Sequence, residues 1–230
     1  LGIPRNSDFN GASQEGAGYF QLTNRRGLRC SAAVAYLRPA EKRANLAGLS
    51  GSSRFDLVEA DVNRAPLGRL VADRPAVFHL AAQPGVRASF GDEFARYLHD
   101  NVEATQRLFE AAAESGVVRV VYASSSSVYG DAESYPCAEG APTAPRSPYG
   151  VTKRTCEDLG RIARHSGVEA VGLRYFTVYG PRQRPDMAFT RIATCLAAGR
   201  PFDHIGDGLQ SRSFTYVGDV VRGTIAAMDG

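Results

Sequence analysis

Tyr149 and Lys153 lie four residues apart in the segment SPYGVTKRTCEDL (147–159), a spacing that places both side chains on one face of a helix. A free phenol has a pKa of about 10, so a tyrosine needs help to act as a general base near neutral pH. A neighbouring ammonium group stabilises the phenolate and lowers that pKa. The pair therefore indicates proton removal from a substrate hydroxyl. The alternative is an accidental pair at a solvated helix start, but the chain has 27 basic side chains and only two of them are lysines.

Four serines, Ser124–Ser127, directly follow the apolar run VVRVVYA. In open parallel sheets the ligand lies beyond the carboxyl ends of the strands, so hydroxyls at this position are well placed to meet a substrate oxygen. The alternative is an ordinary polar loop, and the position after a buried strand favours the functional interpretation. The same reasoning selects Asp61, residues 81–87 and residues 175–177 as candidate site residues.

The elements that must position these residues alternate between strand and helix from about residue 55 onward. Short apolar runs predict strands, and apolar residues at helical spacing predict helices. The predicted strands cover 54–62, 75–82, 117–125 and 168–176, and the predicted helices cover 92–115, 149–165 and 187–198. This alternation predicts βαβ units, and therefore an α/β fold with a doubly wound parallel sheet.

The composition excludes several classes of function. A net charge of +3 is too small to indicate a nucleic-acid partner, and no apolar stretch is long enough to span a membrane. The four cysteines and four histidines show no metal-ligand spacing, which predicts no bound metal and reduced thiols in a cytoplasmic protein. His79 lies within a predicted buried strand and is expected to be a hydrogen-bonded core residue.

Five segments occur in order and together resemble a known family. They are FHLAAQPGVRASF, YASSSSVYGD, SPYGVTKRTCEDL, LRYFTVYGPRQRPDMAF and GDGLQSRSFTYVGDVV. Over about residues 45–230 the chain resembles the extended short-chain dehydrogenase/reductases, and within them the NAD-dependent nucleotide-sugar epimerases. The serine run and FTVYGPRQRPDMAF are most similar to the UDP-glucuronate 4-epimerases. The resemblance implies a Rossmann-like fold, NAD as cofactor, a nucleotide-sugar substrate and a homodimer formed through the helices at 92–115 and 149–165.

The resemblance also implies a role for each matching residue. Tyr149 would take the proton of the sugar 4-hydroxyl as hydride passes from C4 to NAD. Lys153 would lower the pKa of that phenol and hold the nicotinamide ribose, and Ser125 would hydrogen bond the same hydroxyl. The resulting 4-keto sugar would turn over in the pocket and take hydride back on its other face. The remaining cofactor contacts would come from Asp61, Val62, Ala81, Ala82, Gln83, Asn101 and Tyr175.

The two positions after Ser125 separate the subclasses of this family. The related 4,6-dehydratases carry Asp and Glu there, and the UDP-glucuronate decarboxylases carry a Glu, whereas this chain has Ser126 and Ser127. Hydroxyls can donate to a sugar carboxylate, and Thr177 and Arg184 could join them, unless Arg184 is merely a surface residue. Arg212 matches the arginine that meets the nucleotide diphosphate, which suits a bidentate guanidinium. Conversion of UDP-glucuronate to UDP-galacturonate is the favoured reaction.

The amino-terminal residues depart from the family pattern. Its members open with a strand, a glycine-rich turn and a helix whose amides bind the pyrophosphate, and this fingerprint is not found upstream of Asp61. Residues 1–40 instead resemble an internal segment of the glucose–methanol–choline oxidoreductases. We therefore expect a foreign segment at 1–44, an NAD-binding domain at 45–180 that lacks its first glycine-rich unit, and a partial nucleotide-sugar lobe at 181–230. Two functions stay open: a working epimerase, or a catalytically inactive truncated or chimeric fragment of that family.

Overall fold

The computed structural model describes residues 46–49, 52, 55–132, 134, 136–203 and 211–229. The described residues form two compact units. The larger contains those up to residue 175 together with 226–229, and the smaller contains those from 176 to 225. The predicted segment at 1–44 lies outside the described residues.

The larger unit is built on a parallel sheet whose described strands are β1 (Ala76–His79), β2 (Arg119–Ala123) and β3 (Glu169–Leu173), in that order. The register places Tyr122 of β2 beside His79 on one side and Gly172 on the other. The carboxyl ends of the three strands therefore lie at one edge of the sheet. This arrangement confirms the predicted parallel α/β sheet.

Helical crossovers connect these strands. Helix α1 (Leu67–Val71) precedes β1, and the crossover from β1 to β2 contains α2 (Phe94–Tyr97), a π-helical turn (Leu98–Glu103) and α3 (Ala104–Glu114). Gly116 follows this crossover helix with a φ of 69°, in the left-handed region that glycine adopts readily at a helix end. Helix α4 (Pro148–His165) connects β2 to β3. It begins at Ser147, whose Oγ accepts a hydrogen bond from the Gly150 N–H at 3.0 Å.

The hydrophobic core lies between the sheet and the helices α3 and α4. Tyr122 is buried at its centre and packs edge-to-face on Phe109, with ring centroids 5.5 Å apart. Two glycines make room for this ring. A Cβ at Gly160 of α4 would lie 2.8 Å from the Tyr122 Oη, and one at Gly172 of β3 would lie 2.6 Å from it. No larger side chain fits at either position without moving the ring.

The smaller unit contains a second parallel pair of strands. It comprises β4 (Thr177–Tyr179), α5 (Ala188–Ala197), β5 (Phe214–Tyr216) and most of α6 (Val217–Asp229). Thr177 pairs with Phe214 at the start of the ladder. Tyr179, Phe189 and Phe214 form a chain of ring contacts with centroids 5.3 and 4.8 Å apart. The sequence predicted α5 but neither of the two strands.

The last residues of α6 belong to the larger unit and contact β2 from the second face of its sheet. Arg119 points away from the α3–α4 core because side chains alternate along a strand. Its guanidinium donates to the carbonyl oxygens of Ala227 and Met228 at 3.3 Å and to the Glu169 carboxylate at 2.6 Å. Helical residues thus lie on both faces of the sheet, as a doubly wound fold requires.

The predicted strand at 54–62 is wrong for residues 55–62, where the structure assigns no strand. Leu57 and Val58 are both 44% exposed, and no strand of the described residues pairs with this segment. A strand needs a hydrogen-bonded neighbour, so an apolar run alone does not fix one. Within the described part of the chain, no helix combines the length and the apolar character that a membrane crossing needs.

Candidate active site

The serine run continues β2 along the carboxyl edge of the sheet. The Ser124 N–H donates to the Leu173 carbonyl oxygen at 2.9 Å, and the Ser126 N–H donates to the Tyr175 carbonyl oxygen at 2.9 Å. These two bonds extend the pairing of β2 and β3 beyond the strands themselves. They bring Ser126 and Tyr175, both predicted site residues, into direct contact.

Ser125 starts a tight turn at this edge. Its backbone is extended, and its Oγ accepts a hydrogen bond from the Ser127 N–H at 3.1 Å at the start of a 3₁₀ turn (Ser126–Val128). Ser125 is only 8% exposed. We refer to Ser124–Ser127 as the serine turn. The bond to Ser127 holds the Ser125 Oγ in one place.

The first turn of α4 packs directly against the serine turn. Gly150 permits this approach, since a Cβ there would lie 2.6 Å from the Ser127 carbonyl oxygen and 2.9 Å from Pro145 Cβ. Tyr149 immediately precedes this glycine and is half-buried. The helix start thus carries Tyr149 to the serine turn.

Lys153 lies one helical turn after Tyr149 and is 4% exposed. Its Nζ donates to the Ala123 carbonyl oxygen at 2.8 Å, at the last residue of β2. Burial lowers the pKa of Lys153, because the charged form is poorly solvated there. The structure therefore brings Ser125, Tyr149 and Lys153 to one edge of the sheet.

Asn101 is fully buried in the π-helical turn and joins the loop after β1 to α4. Its Oδ1 accepts from the Gln83 N–H at 2.6 Å, and its Nδ2 donates to the Gln83 carbonyl oxygen at 3.2 Å and to Thr152 Oγ1 at 3.0 Å. The Oε1 of Gln83 is buried without a hydrogen-bond partner among the described residues. An orphaned acceptor is costly unless a polar ligand group meets it, so this loop fits a bound cofactor. Ala81 and Ala82 precede it with small side chains.

Tyr97 of α2 holds the same loop and contacts Tyr149. Its hydroxyl lies 3.1 Å from the Pro84 carbonyl oxygen and 2.8 Å from that of Gly85. Its fully buried ring meets the Tyr149 ring edge-to-face, with centroids 6.1 Å apart and an interplanar angle of 76°. The sequence did not reveal this role, because Tyr97 is one of several apolar residues at helical spacing.

His79 is a core residue, as the sequence predicted. It is buried, and its Nε2 shares a hydrogen bond with Thr105 Oγ1 at 2.9 Å. Burial, with a smaller contribution from the charge on Lys153, lowers the pKa of His79 to about 3. The imidazole is therefore neutral at physiological pH. No group of His, Cys, Asp and Glu side chains in the described ranges has the arrangement of a metal site.

Asp61 and Val62 lie in a turn outside any strand. The Asp61 Oδ1 accepts from the Asn63 N–H at 2.9 Å, and Asn63 Nδ2 donates to the His99 carbonyl oxygen at 2.8 Å. This connects the turn to the π-helical turn that contains Asn101. Asp61 is exposed and Val62 is half-buried, so both remain accessible.

Three predicted substrate residues lie in the smaller unit. Thr177 is half-buried at the start of β4. Arg184 Nε donates to Asp186 Oδ1 at 2.9 Å, and the guanidinium lowers the pKa of Asp186. Arg212 is exposed and donates to the Ser211 carbonyl oxygen at 2.7 Å. Their contact with the substrate stays a prediction.

Comparison with models of protein families finds a match over most of the chain. The model of the NAD dependent epimerase/dehydratase family matches residues 13–230. The chain belongs to this family. The match includes most of residues 1–40, for which the sequence suggested a different origin.

Individual relatives agree with this family. An uncharacterised UDP-glucose epimerase of Bacillus subtilis is 45% identical over 188 residues, covering 81% of this chain and 59% of that protein. A UDP-glucuronate 4-epimerase of Thermodesulfobacterium geofontis is 42% identical, covering 78% of this chain and 57% of that protein. The crystal structure of a UDP-glucuronic acid 4-epimerase from Bacillus cereus, in complex with UDP-glucuronic acid and NAD, superposes with a TM-score of 0.81. It is 40% identical, and the match covers 87% of this chain and 64% of that one. The chain thus spans about three fifths of the length of these relatives.

Proposed function

We propose that this protein epimerises a nucleotide sugar at C4 with NAD, converting UDP-glucuronate to UDP-galacturonate through a 4-keto sugar. The observation that supports this most directly is the meeting of Ser125, Tyr149 and Lys153 at the carboxyl edge of the sheet. The helix start contacts the serine turn through Gly150, and the Lys153 ammonium lies at the end of β2. These are the groups that reversible oxidation of a hydroxyl requires.

The protein's own residues remove and return the proton of the sugar 4-hydroxyl. Tyr149 takes the proton of the sugar 4-hydroxyl and later returns it to the 4-keto oxygen. The Lys153 cation stabilises the phenolate between these steps, and Ser125 donates to the same sugar oxygen. Bound NAD supplies the acceptor and donor of hydride. The net reaction inverts C4 and leaves the cofactor as it began.

The residues proposed to hold NAD lie on five parts of the larger unit: the turn at 61–62, the loop after β1, the π-helical turn, α4 and the segment after β3. The loop after β1 offers small side chains and the orphaned Gln83 Oε1, and Asn101 holds that loop in place. Beyond β3, Tyr175 is fixed by its bond to Ser126. The proposed cofactor contacts are Asp61, Val62, Ala81, Ala82, Gln83, Asn101, Tyr149, Lys153 and Tyr175.

The serine turn supports a uronate substrate. Ser126 and Ser127 carry hydroxyls where acid–base side chains would be needed for dehydration, and hydroxyls can donate to a sugar carboxylate. Thr177 and Arg212 are the further contacts that we propose, to the carboxylate and the diphosphate. Arg184 would join them only by exchanging or sharing its bond to Asp186. Since the relatives include a UDP-glucose epimerase, UDP-glucose is the competing substrate.

We further propose the domain division 45–180 and 181–230, and a homodimer through the helices at 92–115 and 149–165. The foreign origin of residues 1–44, with their likeness to the glucose–methanol–choline oxidoreductases, is also a proposal. The competing function is a catalytically inactive truncated or chimeric fragment of this family, and titration with NAD and measurement of turnover distinguish it from a working epimerase.

Calorimetric titration with NAD and turnover of UDP-glucuronate by the purified 230-residue chain test the proposal. We expect micromolar or tighter NAD binding, faster turnover of UDP-glucuronate than of UDP-glucose, and loss of turnover in Tyr149→Phe with NAD binding retained. Tyr122→Phe removes a hydroxyl from the core of the same unit and serves as the matched control. Absence of NAD binding, or turnover that survives in Tyr149→Phe, contradicts the proposal.

A further inference from the structure

A partly buried ion pair between Glu157 and Arg174 lies behind the serine turn and takes no part in the proposed chemistry. Glu157 of α4 is 7% exposed, and its carboxylate oxygens Oε1 and Oε2 accept from Arg174 Nε and Nη2, both at 2.8 Å. Ser124 Oγ donates at 2.6 Å to Glu157 Oε1, the oxygen that also accepts from Arg174 Nε. Although burial acts to raise the pKa of Glu157, the hydrogen bonds from Arg174 and Ser124 lower it on balance. Glu157 is therefore an anion throughout the neutral range.

The Arg174 guanidinium connects three separate parts of the larger unit. Besides its bonds to Glu157, the guanidinium donates through Nη1 to the Glu139 carbonyl oxygen at 2.8 Å. Its Cζ lies 4.7 Å from the centroid of the Tyr129 ring. Arg174 follows β3 directly, Glu139 lies in the loop that leads into α4, and Tyr129 follows the serine turn. The interactions of one side chain thus fix the segments on both sides of the site.

The hydrogen-bonded network of Ser124, Glu157 and Arg174 is linked to the proposed catalytic residues by the polypeptide backbone. Ser124 immediately precedes Ser125, and Arg174 immediately precedes Tyr175, whose carbonyl oxygen accepts from the Ser126 N–H. Glu157 lies on the same helix as Tyr149, and two steps of four residues separate them, so both share one helix face. The serine turn and the tyrosine are therefore both held relative to one carboxylate.

We propose that Glu157 and Arg174 are positioning residues, which set the place of the Ser125 hydroxyl relative to Tyr149. This inference rests on the proposed function for its kinetic consequence, but its structural content stands apart from it. Bidentate pairing needs the planar guanidinium, so lysine cannot replace Arg174 in this role. Loss of the pair frees the serine turn while the sheet beneath it stays intact.

The test uses Glu157→Gln, Arg174→Lys and the double variant, with Glu169→Gln as the matched control. Glu169 also pairs with an arginine, but at the opposite end of the strands, where Arg119 lies. Hydrogen exchange of the backbone amides is measured first. We expect the Ser124 and Ser126 amides to exchange at least tenfold faster in the Glu157 and Arg174 variants, while the Val120 amide is unchanged. In Glu169→Gln the serine turn should keep its protection.

Kinetics supply the second measurement. We expect kcat to fall about ten- to a hundredfold, with KM for the nucleotide sugar and the NAD affinity within twofold of the unmodified chain. The double variant should lose no more than the worse single variant, because both residues act as one unit. A purely stabilising pair would lower protection over the whole sheet and leave kcat of the folded protein unchanged, which would overturn the proposal.

The two measurements separate this inference from the proposed function. If the unmodified chain shows no turnover, the proposed function fails, and the exchange measurement still decides the positioning role. Selective loss of protection in the serine turn would then support the inference on its own. Unchanged exchange at Ser124 and Ser126 overturns it, whatever the activity.

Discussion

Replacing Gly150 by alanine tests the contact between α4 and the serine turn. The added Cβ would lie 2.6 Å from the Ser127 carbonyl oxygen, whereas an ordinary contact begins at 3.4 Å. The two segments must therefore separate by 3.4 − 2.6 = 0.8 Å. The Ser127 oxygen that must move belongs to the backbone. The added Cβ cannot simply shift away from it towards Pro145, because it would already lie 2.9 Å from Pro145 Cβ.

This separation carries Tyr149 away from Ser125. A misplacement of about 1 Å costs on the order of a hundredfold in rate, so we expect kcat to fall between tenfold and a hundredfold. Overpacking should also lower the free energy of unfolding by about 1–3 kcal/mol. Turnover of UDP-glucuronate and urea unfolding measure the two effects.

Two other helical glycines provide controls. Gly160 lies on the same helix, and its Cβ would meet the Tyr122 Oη at 2.8 Å, so Gly160→Ala should cost stability without a comparable loss of kcat. Gly223 of α6 has open space around it, so Gly223→Ala should raise stability by about 0.5–1 kcal/mol. A Gly150→Ala variant with kcat within twofold of the unmodified chain and unchanged stability would refute the argument.

Three further predictions follow from the charges and hydroxyls of the site. Lys153→Met removes the cation one helical turn after Tyr149, which we propose to stabilise the phenolate, so the acid limb of the kcat/KM profile should move to higher pH; an unmoved limb would contradict this. His79 has a folded pKa of about 3 against 6.5 ordinarily, so the unfolded chain binds the extra proton between these values and stability falls as the pH drops. His79→Gln should lack this slope, at most about 1.4 kcal/mol per pH unit, in urea unfolding from pH 6.5 to 4; an equal slope in both proteins would refute it. Ser127→Ala should raise KM for UDP-glucuronate several-fold more than for UDP-glucose, and an equal change would exclude a contact to the carboxylate.

The sequence predicted the elements that carry their own periodic pattern. β1, β2, β3 and α4 occur where apolar runs and helical spacing placed them, with strands shorter than the runs. The strand at 54–62 failed because a strand depends on its neighbour, and the described residues supply none. β4 and β5 were missed because three residues are too few to show alternation, and their partners are far apart in the chain.

The residues of the candidate site also differ in whether a local pattern in the sequence or a contact between distant residues reveals them. Tyr149, Lys153 and the serines could be proposed from the sequence because their side-chain types and positions indicate a chemistry. Thr152, Tyr97 and Glu157 were missed because their roles depend on contacts made across the fold, such as the bond from Asn101 to Thr152, 51 residues away. A glutamate among the buried residues of α4 was the available signal for Glu157, since a buried carboxylate needs a partner.

The space that Gly160 and Gly172 leave for the Tyr122 ring also bears on the alignment of the strands in the sheet. Partner residues on β1 and β2 are 119 − 76 = 43 positions apart, and those on β2 and β3 are 169 − 119 = 50 apart, so no local hairpin sets their alignment. A slip of one residue would turn Tyr122 to the opposite face, and a slip of two would set it against Ala170 or Arg174 instead of Gly172. In neither alternative does the ring lie opposite Gly172, so only the native alignment leaves space for it between the sheet and α4. The positions of the two glycines thereby favour one strand alignment by shape.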